Sequence, residues 1–281
     1  MTQISPILVI GGTGKTGRRV VERLHARSLP VRIGSRAGSP PFDWKDRVTW
    51  AAALQGIDAA YITYQPDLAV PGAADDIRAF TAQAVTAGVR RLVLLSGRGE
   101  EEAQYCEQIV QQAGAEWTIV RASWFNQNFD ESFFLDPILS GVIALPVAEV
   151  REPFVDADDI ADVVVAALTE DRHAGQVYEL SGPRLMTFRD VVAEIASATG
   201  RDLQFVQITP EQYTASMHAA GVPGDYIWLV NYLFTNVLDG RNSSLTDGVQ
   251  RALGRAPRDF SDYARATAAR GVWNSAAVER A

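Results

Sequence analysis

The run Ile7-Leu-Val-Ile-Gly-Gly-Thr-Gly-Lys-Thr-Gly17, followed at once by Arg18-Arg-Val-Val-Glu-Arg-Leu24, constrains the fold more than any other stretch of the chain. An apolar strand enters a tight turn with glycines at 11, 14 and 17, and a helix leaves it. That geometry aims backbone N–H groups and the positive end of a helix dipole at one point, where a pyrophosphate can sit. Gly11 permits the turn, Gly14 lets the backbone approach a ligand, and Gly17 lets helix and strand pack closely. The spacing is G-x-x-G-x-x-G, which differs from the G-x-G-x-x-G of ordinary dehydrogenases. A nucleoside-triphosphate loop is excluded too, because Lys15-Thr16 precede the last glycine and one loop residue is missing.

The rest of the first half repeats this strand–helix alternation. Strands are expected at 31–34, 59–63, 91–96 and 116–121, with helices over 73–87 and 100–112 that stop at Gly88 and Gly114. Near-continuous apolar strands imply a parallel sheet covered on both faces, and right-handed crossovers make it doubly wound. Ligands then bind beyond the carboxyl ends of the strands. The second half is less regular. A helix is expected over 158–168, a strand over 176–180, a Thr187-capped helix and a short strand over 203–207. Two further helices, 211–220 and 225–238, are joined by Gly221-Val-Pro-Gly224. The second of these carries Tyr226, Trp228, Leu229, Tyr232, Leu233 and Phe234, apolar on too many sides for an ordinary surface helix. It is either packed into a small lobe or a lid whose aromatic face covers a flat substrate. The expected organisation is an α/β, Rossmann-type domain over 1–157, with elements near 158–182 packing back onto it. A smaller, mostly helical substrate lobe follows over 183–281, with 211–238 as the candidate lid.

Composition narrows the function. At 281 residues and 47% apolar the chain can bury a large core, and a net charge of −8 excludes a basic nucleic-acid footprint. No run approaches the roughly 20 apolar residues of a membrane span, and the short apolar start lacks a basic leader. The expectation is a cytoplasmic protein without a membrane partner, as monomer or homodimer. Cys106, the single cysteine, fits a reducing compartment and reads as a packed thiol rather than a nucleophile. His25, His173 and His218 are scattered, so no metal site is implied. Of 26 basic residues only Lys15 and Lys45 are lysines, which nearly excludes a catalytic lysine outside the glycine loop.

After the second strand, where NAD-binding folds place an acid on the ribose hydroxyl, this chain has Gly34-Ser35-Arg36. Arg36 can pair with a 2′-phosphate and Ser35 can donate a hydrogen bond, so the cofactor is expected to be NADP(H). Asp43 could reach the adenine edge or only cap a turn.

Gly11-Gly-Thr-Gly-Lys-Thr-Gly17, Leu92-Val-Leu-Leu-Ser96, Trp117-Thr-Ile-Val-Arg121, Phe125-Asn-Gln-Asn128 and Phe154-Val-Asp-Ala-Asp-Asp-Ile160 together resemble the NmrA-like branch of atypical short-chain dehydrogenase/reductases. Val177-Tyr-Glu-Leu-Ser-Gly182 and Met186-Thr-Phe188 resemble that family's later signature, so the likeness spans roughly residues 4 to 210. It implies a Rossmann domain holding NADP(H) and a smaller substrate lobe. By motif, Gly11, Thr13, Gly14, Lys15, Thr16 and Gly17 form the phosphate loop and Arg36 meets the 2′-phosphate. Thr63, Tyr64 and Ser96 end strands that flank the cofactor. Ser123, Trp124 and Phe125 would lie near the nicotinamide. The family includes quinone reductases, ketone or isoflavone-type reductases, and redox-sensing regulators without turnover.

Ordinary short-chain dehydrogenases use a tyrosine whose pKa is lowered by a lysine four residues on. None of the eight tyrosines here has one, and after Tyr105 that position is Ile109. Three readings follow. The first is an NADPH-dependent ketoreductase acting in secondary metabolism on a quinone-like or polyketide-like aromatic. Ser96, Tyr105, water or the substrate's own phenol would supply its proton, and Trp124, Phe125, Asn128, Tyr226 and Trp228 would contact the substrate. The second is an NADP(H)-binding sensor without chemistry. The third, a lyase, isomerase or epimerase on a nucleotide sugar, is weakest, because its usual chemistry also needs the tyrosine–lysine pair.

Overall fold

The computed structural model describes residues 5–147 and 149–274. Along the chain the elements run β1 (Ile7–Ile10), α1 (Lys15–Ala26), β2 (Val31–Gly34), α2 (Trp50–Leu54) and β3 (Ala59–Ile62). They continue with α3 (Ala73–Thr86), β4 (Arg91–Gly97), α4 (Glu101–Gln111), β5 (Glu116–Ala122), α5 (Leu135–Ser140) and β6 (Val142–Leu145). The last group is α6 (Ala157–Thr169), β7 (Gln176–Leu180), α7 (Phe188–Thr199), β8 (Gln204–Gln207), α8 (Pro210–Ala219), α9 (Gly224–Tyr232), α10 (Gly248–Leu253) and α11 (Phe260–Ala269).

These elements form two compact units. The first takes residues 1–122, 157–180 and 247–255, and the second takes 123–156, 181–246 and 256–281. The chain therefore passes between the units several times, with residues 157–180 and 247–255 in the first and 123–156 in the second.

The first unit is built on six parallel strands in the order β2-β1-β3-β4-β5-β7. The order reverses between β1 and β3, and a crevice at such a point, beyond the carboxyl ends, is where doubly wound sheets bind ligands. All four residues of β1 and of β3 are buried, as strands covered on both faces require. Asp75 and Asp76 in the first turn of α3, and Glu101 and Glu102 in that of α4, complement the helix dipoles.

The second unit is organised by rings. Phe129, Phe134, Phe154, Phe188 and Phe260 are almost wholly buried together with Trp273, and Phe154 meets Phe188 edge-on at 5.1 Å between centroids. A two-stranded parallel sheet, β6 with β8, lies in this unit. The strand expected over 203–207 is β8, and its partner β6 has no counterpart among the expected strands. A capping box closes α7: Asp190 N–H donates to Thr187 Oγ1 at 3.1 Å, and Thr187 N–H donates to Asp190 Oδ2 at 2.8 Å. The single helix expected over 225–238 is not observed. Instead α9 ends at Tyr232 and a π turn, Leu233–Val237, follows, with Leu238 N–H bonded to the Leu233 carbonyl at 3.0 Å. The wider turn lets Phe234, Val237 and Leu238 all face the core, a packing demand that helical periodicity does not encode.

Candidate active site

The glycine loop follows β1, and each glycine answers a separate steric demand. Gly11 sits at φ +67°, and a Cβ there would overlap Thr63 Oγ1. A Cβ on Gly17 would overlap the carbonyl oxygen of Gly11, so the first turn of α1 lies directly on the loop backbone. Gly14 is the N-cap residue of α1, and no side chain caps that helix end. Thr13 and Gly14 are exposed at the crest. An uncapped helix start beneath a crest without side-chain cover is a cradle suited to a pyrophosphate, so this segment fits a dinucleotide. Lys15 opens the helix and adds positive charge. Thr16 is buried, and its hydroxyl accepts a hydrogen bond from Tyr61 Oη at 3.0 Å, which leaves its own O–H to donate.

Past β2, the Ser35 carbonyl accepts N–H bonds from Gly38 and Phe42, each at 2.9 Å, which folds the following loop back. Arg36 is exposed at the head of this loop, and no hydrogen bond or ion pair engages its side chain among the described residues. Asp43 is already occupied. Its Oδ1 accepts from Lys45 N–H at 3.0 Å, and its backbone carbonyl accepts from Trp50 Nε1 at 2.8 Å. The turn-capping alternative describes Asp43 better than an adenine contact.

Thr63, just past β3, donates to the Ile10 carbonyl at 3.0 Å and locks the end of β3 against the glycine loop. Tyr64 donates to Asp76 Oδ2 at 2.7 Å, and burial followed by that carboxylate raises its pKa. Ser96, at the end of β4, was a candidate proton donor. The structure gives its proton another destination: the buried hydroxyl donates to Glu107 Oε1 at 2.6 Å. Arg121 holds Glu107 in turn through Nε at 2.9 Å and bonds Glu179 through Nη1 at 2.6 Å. Hydrogen bonding to Glu107 raises the Arg121 pKa further, so the cation is permanent. Ser96 is thereby a fixed element of a buried ionic network. Tyr105, the other proton candidate, is half exposed on α4 and its hydroxyl accepts from Arg78 Nη2 at 2.8 Å. Cys106 is buried, and burial pushes its thiol up to about 12, as a packed thiol requires.

In the second unit Trp124 is half-buried. It stacks on Phe134 at 6.3 Å and meets Phe188 at 5.4 Å and Phe234 at 5.5 Å. Phe125 pairs with Val155 through an isolated bridge, and Asn128 N–H donates to the Phe125 carbonyl at 3.1 Å. Asn126–Asn128 is a 3-10 turn, so no α-helix begins there. Ser123 Oγ and both amide atoms of Asn126 are buried without a hydrogen-bond partner among the described residues. Tyr226 and Trp228 do not join the ring cluster that holds Trp124. They are 37% and 45% exposed, and Trp228 stacks on Tyr232 at 5.6 Å instead. The helix reaches Trp124 through Phe234, which also meets Tyr213 at 5.4 Å. Glu107 escaped the sequence reading of the site, since it acts through Ser96 and Arg121 on other elements.

Among the described residues no group of three or more His, Cys, Asp or Glu side chains is placed to hold a metal ion. No helix among them is long and apolar enough to cross a membrane.

A doubly wound parallel sheet whose first turn is a glycine cradle at a helix start defines a dinucleotide-binding protein. The NAD(P)H-binding family model matches residues 11–171, more than half of the chain. The chain belongs to this NAD(P)H-binding family. It is 31% identical to the NAD(P)H azoreductase of Xenophilus azovorans, over 94% of this chain and 98% of that protein. The NADPH-dependent quinone oxidoreductase of Escherichia coli, solved with NADPH, shares its fold with a TM-score of 0.77 at 18% identity, covering 92% of this chain and 98% of that one. The negative transcriptional regulator NmrA, solved with NAD, does so with a TM-score of 0.68 at 16% identity, covering 94% and 95%. The protein is an NAD(P)H-dependent oxidoreductase.

Proposed function

We propose that the protein is an NADPH-dependent reductase of a carbonyl on a flat, quinone-like or polyketide-like aromatic molecule, working without a tyrosine–lysine dyad. The observation that carries this reading is the ring cluster around Trp124 in the second unit, where a half-buried indole is framed by Phe134, Phe188 and Phe234. Such surfaces favour flat conjugated ligands by stacking. Relatives named for azo and quinone reduction act on conjugated acceptors of that kind.

The bound dinucleotide supplies the hydride. The chain's part is to hold and orient. The first turn of α1 and the Gly11–Gly17 loop bind the pyrophosphate through backbone N–H groups. Arg36 pairs with the 2′-phosphate and sets the preference for NADPH. Glu107 and Arg121 hold Ser96 fixed at the end of β4. Positioning of donor and acceptor can by itself contribute on the order of 7–11 kcal/mol, which suits a site lacking the usual dyad.

The test follows NADPH absorbance with quinones, polycyclic aromatic ketones and azo dyes, with NADH in parallel. Turnover of a quinone or aromatic ketone, faster with NADPH, is the expected result. Tight NADPH binding with no turnover on any acceptor would replace the reductase by the redox-sensor reading. Turnover confined to azo dyes would move the substrate class from C=O to N=N. Faster turnover with NADH would remove the role given to Arg36.

A further inference from the structure

Trp124 and Asn126 stand two residues apart in a segment of the second unit whose backbone is held firmly. Phe125, between them, is extended at φ −83° and ψ 137° and bridges Val155 in parallel. Val155 N–H donates to the Trp124 carbonyl at 2.8 Å, and Asn126 N–H donates to the Val155 carbonyl at 2.9 Å. Side chains on either side of an extended residue leave the chain on the same face, roughly 6.5 Å apart along it. The Trp124 indole and the Asn126 amide therefore share one face of this segment.

The amide is the anomaly here. Asn126 is wholly buried, and neither Oδ1 nor Nδ2 has a hydrogen-bond partner among the described residues. Its backbone is fully engaged, because Phe129 N–H also donates to its carbonyl at 3.1 Å. Neighbouring polar side chains are engaged too. Gln127 Nε2 donates to Asp156 Oδ1 at 3.0 Å, and Asp130 Oδ1 accepts from Tyr263 Oη at 2.7 Å. An unpaired amide in such a place is costly, and an apolar side chain of equal size would avoid the cost. The same enclosure strengthens whatever bond the amide does make.

An amide presents a donor and an acceptor side by side in one plane. Its complement is a carbonyl with an N–H or O–H on the neighbouring atom. Trp124 supplies the other half of such a site, a half-buried ring face framed by Phe134, Phe188 and Phe234.

We propose that Trp124 and Asn126 form one subsite, for a flat ring that carries a carbonyl with a hydrogen-bond donor on the adjacent atom. The ring enters over the open part of the indole. Asn126 Nδ2 donates to the carbonyl oxygen, and Oδ1 accepts from the neighbouring N–H or O–H. The inference rests on the reductase reading and narrows its acceptor to rings with this paired edge.

The test titrates the full, cofactor-free chain by calorimetry with carbostyril, a flat bicyclic lactam, and with N-methylcarbostyril, which lacks the donor. Wild type should bind carbostyril at least roughly 10-fold more tightly, the scale of one bond lost with its buried partner left unpaired. Asn126→Leu removes the amide at similar volume, and Asn126→Ala removes it and leaves room for the methyl group. Both should bind the two probes alike. The second readout is the infrared band of an isotope-labelled carbostyril carbonyl. Bound to wild type it should lie at lower frequency than when bound to either variant, as hydrogen bonding to Nδ2 requires. Equal affinity of the wild type for the two probes overturns the proposal, as does binding of neither. A preference or band shift that survives in both variants also overturns it, since water would then be what meets the amide. The wild-type comparison stands by itself if the variants fail to fold. The titration involves no turnover, so failure of the reductase reading shows in the NADPH assay and failure of this subsite shows in the titration.

Discussion

The first unit offers a backbone cradle for a candidate cofactor, and the second offers rings. In the first, Gly11, Gly14 and Gly17 stand within seven consecutive residues, and the demand on each comes from the loop itself or from Thr63 next door. In the second, Trp124, Phe134, Phe154, Phe188, Phe234 and Phe260 come from separate segments and meet only when the unit folds. A backbone cradle is specified locally and reads the invariant part of a cofactor. An aromatic cluster is specified by tertiary packing, and on the proposed reading changing one ring would change the acceptor without touching the cradle. On that reading cofactor class and substrate class are written in different ways in one chain.

The largest expected effect falls on the rings. Phe188 is fully buried and meets Trp124, Phe129, Phe134, Phe154 and Phe234. Phe188→Ala should cost about 3–5 kcal/mol of stability by urea unfolding. NADPH affinity of the folded protein should stay as it was. A parallel loss of affinity would break the division of labour between the units. In the first unit Gly17→Ala strikes the cradle itself. Its Cβ has the Gly11 backbone to displace, which outweighs the roughly 1 kcal/mol that alanine adds to a helix. NADPH affinity measured by fluorescence should fall about 100-fold, near 2.7 kcal/mol, together with a lower thermal midpoint. Unaltered binding would mean that the loop does not hold the pyrophosphate.

The same contrast explains what could be read in advance. The doubly wound sheet was legible because β1, β3, β4 and β5 are runs of apolar residues punctuated by glycines, and the cradle was legible because only glycine satisfies its geometry. The Thr187 cap was legible for the same local reason. What escaped depends on distance along the chain. The hydrogen bond from Ser96 to Glu107 joins residues eleven positions apart on β4 and α4. The one from Tyr61 to Thr16 joins β3 to the start of α1. The π turn at Leu233–Val237 follows from where Phe234 and Leu238 must pack, which no periodicity records.

A smaller effect is expected at Arg36, a side-chain contact within the backbone-reading unit. Arg36→Ala should weaken NADPH binding about 10- to 100-fold, ~1.5–3 kcal/mol for a charge-assisted hydrogen bond, and leave NADH binding alone. Equal losses for both cofactors would assign Arg36 to the shared part of the dinucleotide. That result would sharpen the comparison, leaving the 2′-phosphate to the backbone as well.

The smallest expected effect separates the units by pH. In the second unit Asp259 binds Arg184 through two bonds of 2.9 Å and accepts Ser261 N–H at 2.8 Å at the start of α11. Hydrogen bonding to Arg184 lowers the Asp259 pKa from its ordinary 3.8 to about 2. A depressed carboxylate contributes stability above its unfolded pKa and loses it as pH falls through the folded value, so the window runs from 3.8 down to about 2. The pair is partly solvated, which reduces the contribution to about 1 kcal/mol. In the first unit the sign is opposite. Asp67 and Glu100 are raised by burial, so their contribution is present at low pH and is lost as pH rises through the folded values. Asp259→Asn should therefore flatten only the acid limb of the pH–stability curve, and Glu100→Gln only the alkaline limb. Either variant flattening both limbs would show that the two units titrate as one cooperative body, and the contrast between them would then be one of chemistry alone.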